Sequence, residues 1–399
     1  MASEVTEEKK EEGAAEPARQ RLLVTASPHI RSPESIPRIM WTVSATLAPA
    51  MAWAVYVFGL RALWLTGLSI AVAVATEAAI QRLRRKPVTV SDGSAFLTGL
   101  LVMFVLPVHM PWYVPLTASF FAIAIVKQAF GGLGCNVWNP ALMGRAFVLA
   151  AWAALVTVGA GWPTAFWHQK KAAAEAKPAA GEAAPKAPAP ARITDAVTAA
   201  TPLTRVKERL REFNNGDRGE VPAPEDRNDA RAALAMIQDE QGTPLDDLYF
   251  GRTGGCIGEV SAALLFLGGI VLVGLGYVKW EVPVLFIGTA ALLGWALPIP
   301  VQGDAARFYV WFGGRPLFEI FAGGLFLGAF FMATDMVTTP VTRKGLVVFA
   351  IGCGVLTAVI RRYGGYPEGV CYAILLMNTA TPLIDRYTKP RAFGQRPKK

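Results

Sequence analysis

Hydrophobic residues along this chain fall in long, nearly unbroken blocks rather than at amphipathic helical spacing or in the alternation of a half-buried strand. Ten blocks stand out, at about 39–60, 62–80, 94–108, 112–126 and 140–162, then 257–277, 282–300, 316–333, 345–360 and 369–385. Most approach the ~20 residues a helix needs to cross a ~30 Å hydrocarbon core. The blocks at 94–108 and 112–126 are shorter and flank Pro107 and Pro111, so they read as two tilted spans or as one re-entrant hairpin. Either arrangement adds an even number of crossings and leaves the sidedness downstream unchanged. The pattern predicts an all-α polytopic integral membrane protein with about ten transmembrane helices.

The polar stretches divide the chain further. Residues 1–38 are polar, carry a charged run over 7–12, and show neither an apolar signal core nor a small-residue cleavage site. They are expected to stay in the cytoplasm, with the first helix as an uncleaved anchor. Arg82, Arg84, Arg85, Lys86, Arg343, Lys344 and the basic tail 386–399 then fall on the cytoplasmic side, while Arg361 and Arg362 fall on the other. A first membrane half (39–162) and a second (257–385) enclose an extracytoplasmic loop at 163–256.

Within that loop, 170–191 is a low-complexity Ala/Pro/Lys linker with nothing to bury, for which disorder is expected. Residues 202–247 alternate charged and apolar positions, with breakers at 214–216 and 222–224, and predict two short surface helices. Five spans on each side also permit two inverted five-helix halves, with Gly-rich breaks at 131–140 and 364–369 in matching places.

Composition agrees with a bilayer: 53% of residues are hydrophobic and 17% charged, against about 25% charged in a soluble globule. Mean hydropathy is +0.36. The net charge of +9 is explained by orienting loops; no basic stripe interleaved with aromatics points to nucleic acid. Cys135, Cys256, Cys353 and Cys371 are scattered without a CxxC pair, and His29, His109 and His168 are too dispersed for a metal site. Cys353 and Cys371 read as small hydrophobes inside apolar runs; Cys135 and Cys256 lie in Gly-rich helix ends. No self-contained iron–sulfur site is expected. Nor does any dinucleotide fingerprint appear, so the chain is not expected to bind NADH itself.

Several residues invite chemistry. Glu77 inside an apolar block is costly in lipid and predicts a side chain facing the protein interior. Glu259 reads as a first-turn acid at a helix entrance. The segment GGLGCNVWNP, with Gly131, Gly132, Asn136 and Asn139, is either a backbone break packed between helices or a ligand or ion pocket. Thr334 and Asp335, followed by Thr338, Thr339 and Thr342, form either a plain cytoplasmic turn or an ion-coordinating or partner-facing site. The hydroxyl-rich stretch 195–203, with Asp195, Thr198 and Thr201, reads by itself as a turn before a helix capped by Thr201 or Thr204.

Taken in order, these stretches resemble a known family. They are Ser27-Pro-His-Ile-Arg-Ser32, Ser91-Asp-Gly-Ser-Ala95, Gly131-Gly-Leu-Gly-Cys-Asn136, Asn139-Pro-Ala141, Gly258-Glu259 with Ser261, Ala329-Phe-Phe-Met-Ala-Thr-Asp335, Val337-Thr-Thr-Pro-Val-Thr342, Gly364-Gly-Tyr-Pro-Glu-Gly369 and the run NTATPLIDRYTKPRAF from Asn378. The chain resembles the D subunits of Rnf complexes (ferredoxin:NAD oxidoreductases that translocate ions). It is more distantly similar to the B subunit of the sodium-pumping NADH:quinone reductase. The C-terminal run, together with Thr198 and Pro202, favours the Rnf branch.

The resemblance implies FMN bound covalently to a threonine through a phosphoester, installed by a dedicated flavin transferase. By position that threonine is Thr201, with Asp195 and Thr198 in the surrounding motif; Ala196 and Ala199 stand where the family commonly has glycine. It further implies an inner-membrane location and a complex with other membrane and flavin or iron–sulfur subunits, inactive as a single chain. A quinone-reductase subunit with the same flavin chemistry and an inverted-repeat secondary transporter are the competing readings. The transporter gives no reason for the hydroxyl-rich stretch.

Overall fold

The computed structural model describes residues 34–152, 202–217, 219, 221–240, 245–251, 255–259, 261–303, 306–365 and 369–389. The helices and strands belong to the compact unit Ile36–Lys399.

The apolar blocks become helices because nothing else satisfies a backbone inside hydrocarbon. The first half holds α1 (Ile36–Phe58), α2 (Leu60–Leu83), α3 (Ser94–Phe104), α4 (Tyr113–Phe121) and α5 (Pro140–Ala151). Helix α4 widens at its end into a π-helical turn, Ala122–Gln128. Among the described residues, Ile36–Phe58, Leu60–Leu83 and Arg343–Tyr363 are long and apolar enough to cross a membrane; the apolar helices at 94–104, 113–128, 140–151, 262–274 and 281–296 are shorter.

Small polar side chains knit the first half together. Ser69 Oγ donates to Gly99 O at 2.7 Å and lies 2.7 Å from Ser119 Oγ, joining α2, α3 and α4. The turn between α3 and α4 lies inside the protein: Leu106, Val108 and Met110 are buried, and Pro107 forms a β-bridge with Cys256. Arg61 holds that turn by donating to the His109 and Met110 carbonyls.

The polar segment folds into α6 (Pro202–Asn214), α7 (Arg227–Glu240) and α8 (Leu245–Phe250). The sequence pattern anticipates two helices here. The third is only six residues long, too short to show a period. The second half follows with α9 (Ala262–Gly274) and α10 (Glu281–Ala296), and then two antiparallel strands, β1 (Ile299–Gln302) and β2 (Arg307–Val310). The described residues are mostly helical, as expected, and this hairpin of two four-residue strands is the departure from an all-α fold. Its first strand runs on directly from the apolar block at 282–300, so no change of period marks it. The strands cover the polar segment: Ile299, Val301 and Val310 share a small core with Phe213, Ala230, Leu234 and Ile237. Asn214 locks the register, donating to Pro300 O and accepting from Gln302 N at 2.7 Å.

The chain closes with α11 (Pro316–Phe321), a single turn α12 (Leu325–Leu327) that passes into a π turn at Gly328–Met332, then α13 (Arg343–Tyr363) and α14 (Val370–Tyr387). The block at 316–333, expected as one span, is therefore broken. Gly323 and Gly324 adopt left-handed φ values of 71° and 64°, which other residues resist. Buried Arg361 then gathers the freed carbonyls: Nη1 donates to Glu319 O at 2.6 Å, and Nη2 donates to Ala322 O and Gly323 O at 2.9 and 3.0 Å. A carboxylate partner, Glu319 Oε2, sits 3.2 Å from Nη1. An arginine that runs against the charge pattern of the loops thus has a structural reason to be there.

Candidate functional site

Asp195, Thr198 and Thr201 lie outside the described residues. The residue after Thr201 does not. Pro202 opens α6, in the first-turn position where its missing N–H costs nothing. Thr204 falls within that first turn, which rules it out as the cap. The start of α6 is seated against the membrane helices. Leu203 packs in a buried cluster with Leu248, Phe318 and Ala322. One turn on, Lys207 Nζ donates to Arg361 O at 3.1 Å and also to Gly364 O, closing the end of α13. Burial lowers the Lys207 ammonium from its ordinary pKa, and the nearby Arg362 and Arg211 push the same way.

The two irregular segments singled out from sequence do meet. Gly131, Gly132 and Gly134 all take positive φ, turning the chain sharply after the π turn. Asn139 Oδ1 then caps α5 by accepting from Ala141 N and Leu142 N, while its Nδ2 reaches across to Met332 O at 3.3 Å. The Asn136 amide donates to Trp138 O at 3.1 Å and lies beside the Asp335 carboxylate. Asp335 also accepts from Val337 N and Thr338 Oγ1, both at 3.3 Å, and Trp138 Nε1 donates to Thr379 Oγ1 at 2.9 Å. Thr334 is occupied locally, donating to Phe330 O. Gly131 and Gly132 shape the loop and offer no side chain to it.

Sequence reasoning missed Asn378, which belongs to the same junction. It is 1% exposed, and neither amide atom has a hydrogen-bond partner among the described residues. On the same face of α14, Ile374 lies near Gly328 one turn earlier, and Thr381 donates to Thr338 O about one turn later. A buried amide left unpaired costs about 1–3 kcal/mol per group, a cost that the described residues around Asn378 do not offset. Its signal in the sequence is an Asn in an apolar block, which passes as part of a family motif.

Lys127 was missed as well. Glu77 faces inward as expected, and the reason is a lysine fifty residues away: Lys127 Nζ donates to Glu77 Oε2 at 2.7 Å, with side chains 2% and 1% exposed. Among the described residues no cluster of His, Cys, Asp and Glu fits a metal ion, and no disulfide joins the four cysteines. Cys135 is exposed; Cys256, Cys353 and Cys371 are buried.

Comparison with known proteins places this arrangement. The NQR2, RnfD, RnfE family profile matches residues 23–394. The chain belongs to this family. As a member of the NQR2, RnfD, RnfE family it is 41% identical to the D subunit of a proton-translocating ferredoxin:NAD(+) oxidoreductase complex of Clostridium ljungdahlii, over 94% of this chain and 96% of the relative. It is 42% identical to the D subunit of a Na(+)-translocating ferredoxin:NAD(+) oxidoreductase complex of Acetobacterium woodii, covering 94% and 95%. The D subunit of an ion-translocating oxidoreductase complex of Stutzerimonas stutzeri is 37% identical over 90% and 93%. The family match spans both irregular segments, the buried Glu77–Lys127 pair and the stretch around Thr201.

Proposed function

We propose that this chain is the D-type membrane subunit of an ion-translocating oxidoreductase complex of the ferredoxin:NAD kind, carrying FMN covalently on Thr201 and relaying electrons between subunits. The observation that carries the reading is near-full-length similarity to D subunits, two of them above 40% identical. The residues around Thr201 fit a phosphoester. The threonine directly precedes a 13-residue helix, and first-turn N–H groups with the helix dipole favour an anion at that end. When bound, FMN supplies the electron-carrying chemistry that no side chain here possesses. The protein's own share is position: Leu203 and Lys207 fix the start of α6 against Phe318, Arg361 and Gly364. Its partners are the other membrane and flavin or iron–sulfur subunits, a flavin transferase during maturation, and the lipid bilayer of the bacterial inner membrane. The flavin-bearing loop faces the extracytoplasmic side.

Co-expressed with a flavin transferase, the denatured wild-type band is expected to fluoresce under ultraviolet light. Thr201→Ala is expected to lose all of this signal at unchanged protein level. A band that stays fluorescent refutes the attachment site.

The junction of 131–140 with 332–342 is the second working part. Its unpaired Asn378 amide and its Asn136–Asp335 contact support a cavity or docking surface shared by the two halves. Gly132→Val strains a backbone at φ 107°, and Asp335→Asn removes a carboxylate charge. Each is expected to lower coupled electron transfer several-fold while Thr201 keeps its flavin. Wild-type rates in both variants reduce the segments to turns.

A further inference from the structure

A chain of hydrogen bonds in the first half borders the junction loop, whose Gly132 N donates to Lys127 O at 3.0 Å, and takes no part in flavin attachment. Glu77 Oε2 accepts from Lys127 Nζ at 2.7 Å, and the same ammonium donates to Ser94 Oγ at 2.7 Å. The Ser94 hydroxyl in turn donates to Asp92 Oδ1 at 2.6 Å. Glu77, Ser94 and Lys127 are buried at 1%, 3% and 1% exposure, whereas Asp92 is only partly buried, at the loop joining α2 to α3. The other carboxylate oxygen of Glu77 is saturated by two amides, Gln128 Nε2 at 3.0 Å and Gln81 Nε2 at 3.2 Å.

A plain charge lock needs Glu77 and Lys127 alone. The extension through Ser94 needs more. Its hydroxyl accepts from an ammonium and donates to a carboxylate at once, the alignment a proton requires to move between them. Lys127 is brought there by a π turn, a rare device concentrated at functional sites.

We propose that Lys127, Ser94 and Asp92 form a proton relay connecting the buried Glu77–Lys127 pair with water at the α2–α3 loop. One proton passes from Lys127 Nζ to Ser94 Oγ as the Ser94 hydroxyl proton passes to Asp92 Oδ1. Ammonium and carboxylate become amine and carboxylic acid, with no change of total charge and no electron moved. Asp92 then exchanges its proton with solvent, and the reverse sequence recharges the lysine. Glu77 is the counter-charge that retains or releases the ammonium as the local field changes. The charged groups on the packed elements are Arg38 on α1, Arg61 and Arg82 on α2, Arg84, Arg85 and Lys86 in the following loop, Arg145 on α5, and Glu259 on the turn Ile257–Glu259 that packs against α1 and α3. That turn lies against Phe104, at the other end of α3 from Ser94. Asp92 is the carboxylate hydrogen-bonded to Ser94 and so the one placed to take its proton.

The relay rests on the ion-translocating reading, and the experiment separates the two. The assembled complex is placed in inverted membrane vesicles, and electron flux and lumenal acidification are followed in H2O and D2O. Asp92→Asn keeps an oxygen for the Ser94 N–H and hydroxyl but takes no proton. It is expected to lower flux and acidification about tenfold or more, with assembly and thermal stability unchanged. Ser94→Ala is expected to do the same, and decides the matter if Asp92→Asn fails to assemble. Wild-type flux is expected to slow in D2O, a readout that a purely structural role would not move. Wild-type flux in either assembled variant overturns the relay. A wild-type complex with no flux at all overturns the reading beneath it instead.

Discussion

Lys127→Leu is expected to leave almost no folded subunit in the membrane. The substitution deletes the cation and strands Glu77 at 1% exposure among apolar helices. Removing one partner of a buried ion pair costs about 3–5 kcal/mol, a large share of the ~5–15 kcal/mol that holds a protein together. It also leaves the Ser94 hydroxyl without its buried donor. The decisive comparison is the double variant Glu77→Leu with Lys127→Leu. Replacing both charges with apolar groups of similar size is often neutral or stabilising, so the double variant is expected to recover yield and thermal stability by fluorescence-detected size exclusion. If the single variant is as abundant and as stable as wild type, the pair does not tie these helices together. The double variant, folded but without Lys127, is also expected to lack the proton relay.

Arg361→Leu is the second large effect. That guanidinium holds the carbonyls of Glu319, Ala322 and Gly323 where the chain breaks between α11 and α12, and pairs with the Glu319 carboxylate. Without it, three carbonyls and one carboxylate lose their buried donor together. The expected loss is about 3–5 kcal/mol, seen as a lower unfolding temperature of the purified chain. Arg361→Lys is expected to recover only part, because an ammonium lacks the planar fork that reaches several acceptors at once. Since Arg361 O also receives Lys207, the same variant is expected to loosen the start of α6, next to Thr201. Unfolding temperatures equal to wild type in Arg361→Leu contradict this role.

Much of this architecture was legible in the order of residues. Hydrophobic blocks located most of the described apolar helices, because hydrocarbon demands apolar side chains over a whole turn of helix and leaves a signal that needs no partner to read. Glu77 announced an interior-facing charge for the same reason. The loops at 131–140 and 334–342 showed themselves by glycine, asparagine and threonine in places where an ordinary connection needs none. What stayed hidden depends on contacts between distant residues. Lys127 looked like the end of a short apolar block until folding set it beside Glu77. Arg361 looked like a charge on the wrong face until the broken segment at 316–332 supplied its carbonyl acceptors. The hairpin at 299–310 was lost because β1 continues an apolar run, and Asn378 because being unpaired is a property of surroundings. The flavin assignment had a different source: family resemblance in the residues around Thr201, with the physics of a helix start only agreeing with it.

The central claim is best tested by mass spectrometry of the mature chain. Trypsin cuts after Arg192 and Arg205, releasing the peptide ITDAVTAATPLTR. From protein matured with its flavin transferase, this peptide is predicted to be heavier by one FMN less one water, with fragment ions placing the addition on Thr201. An unmodified peptide, or an addition mapped to Thr194, Thr198 or Thr204, would contradict the account.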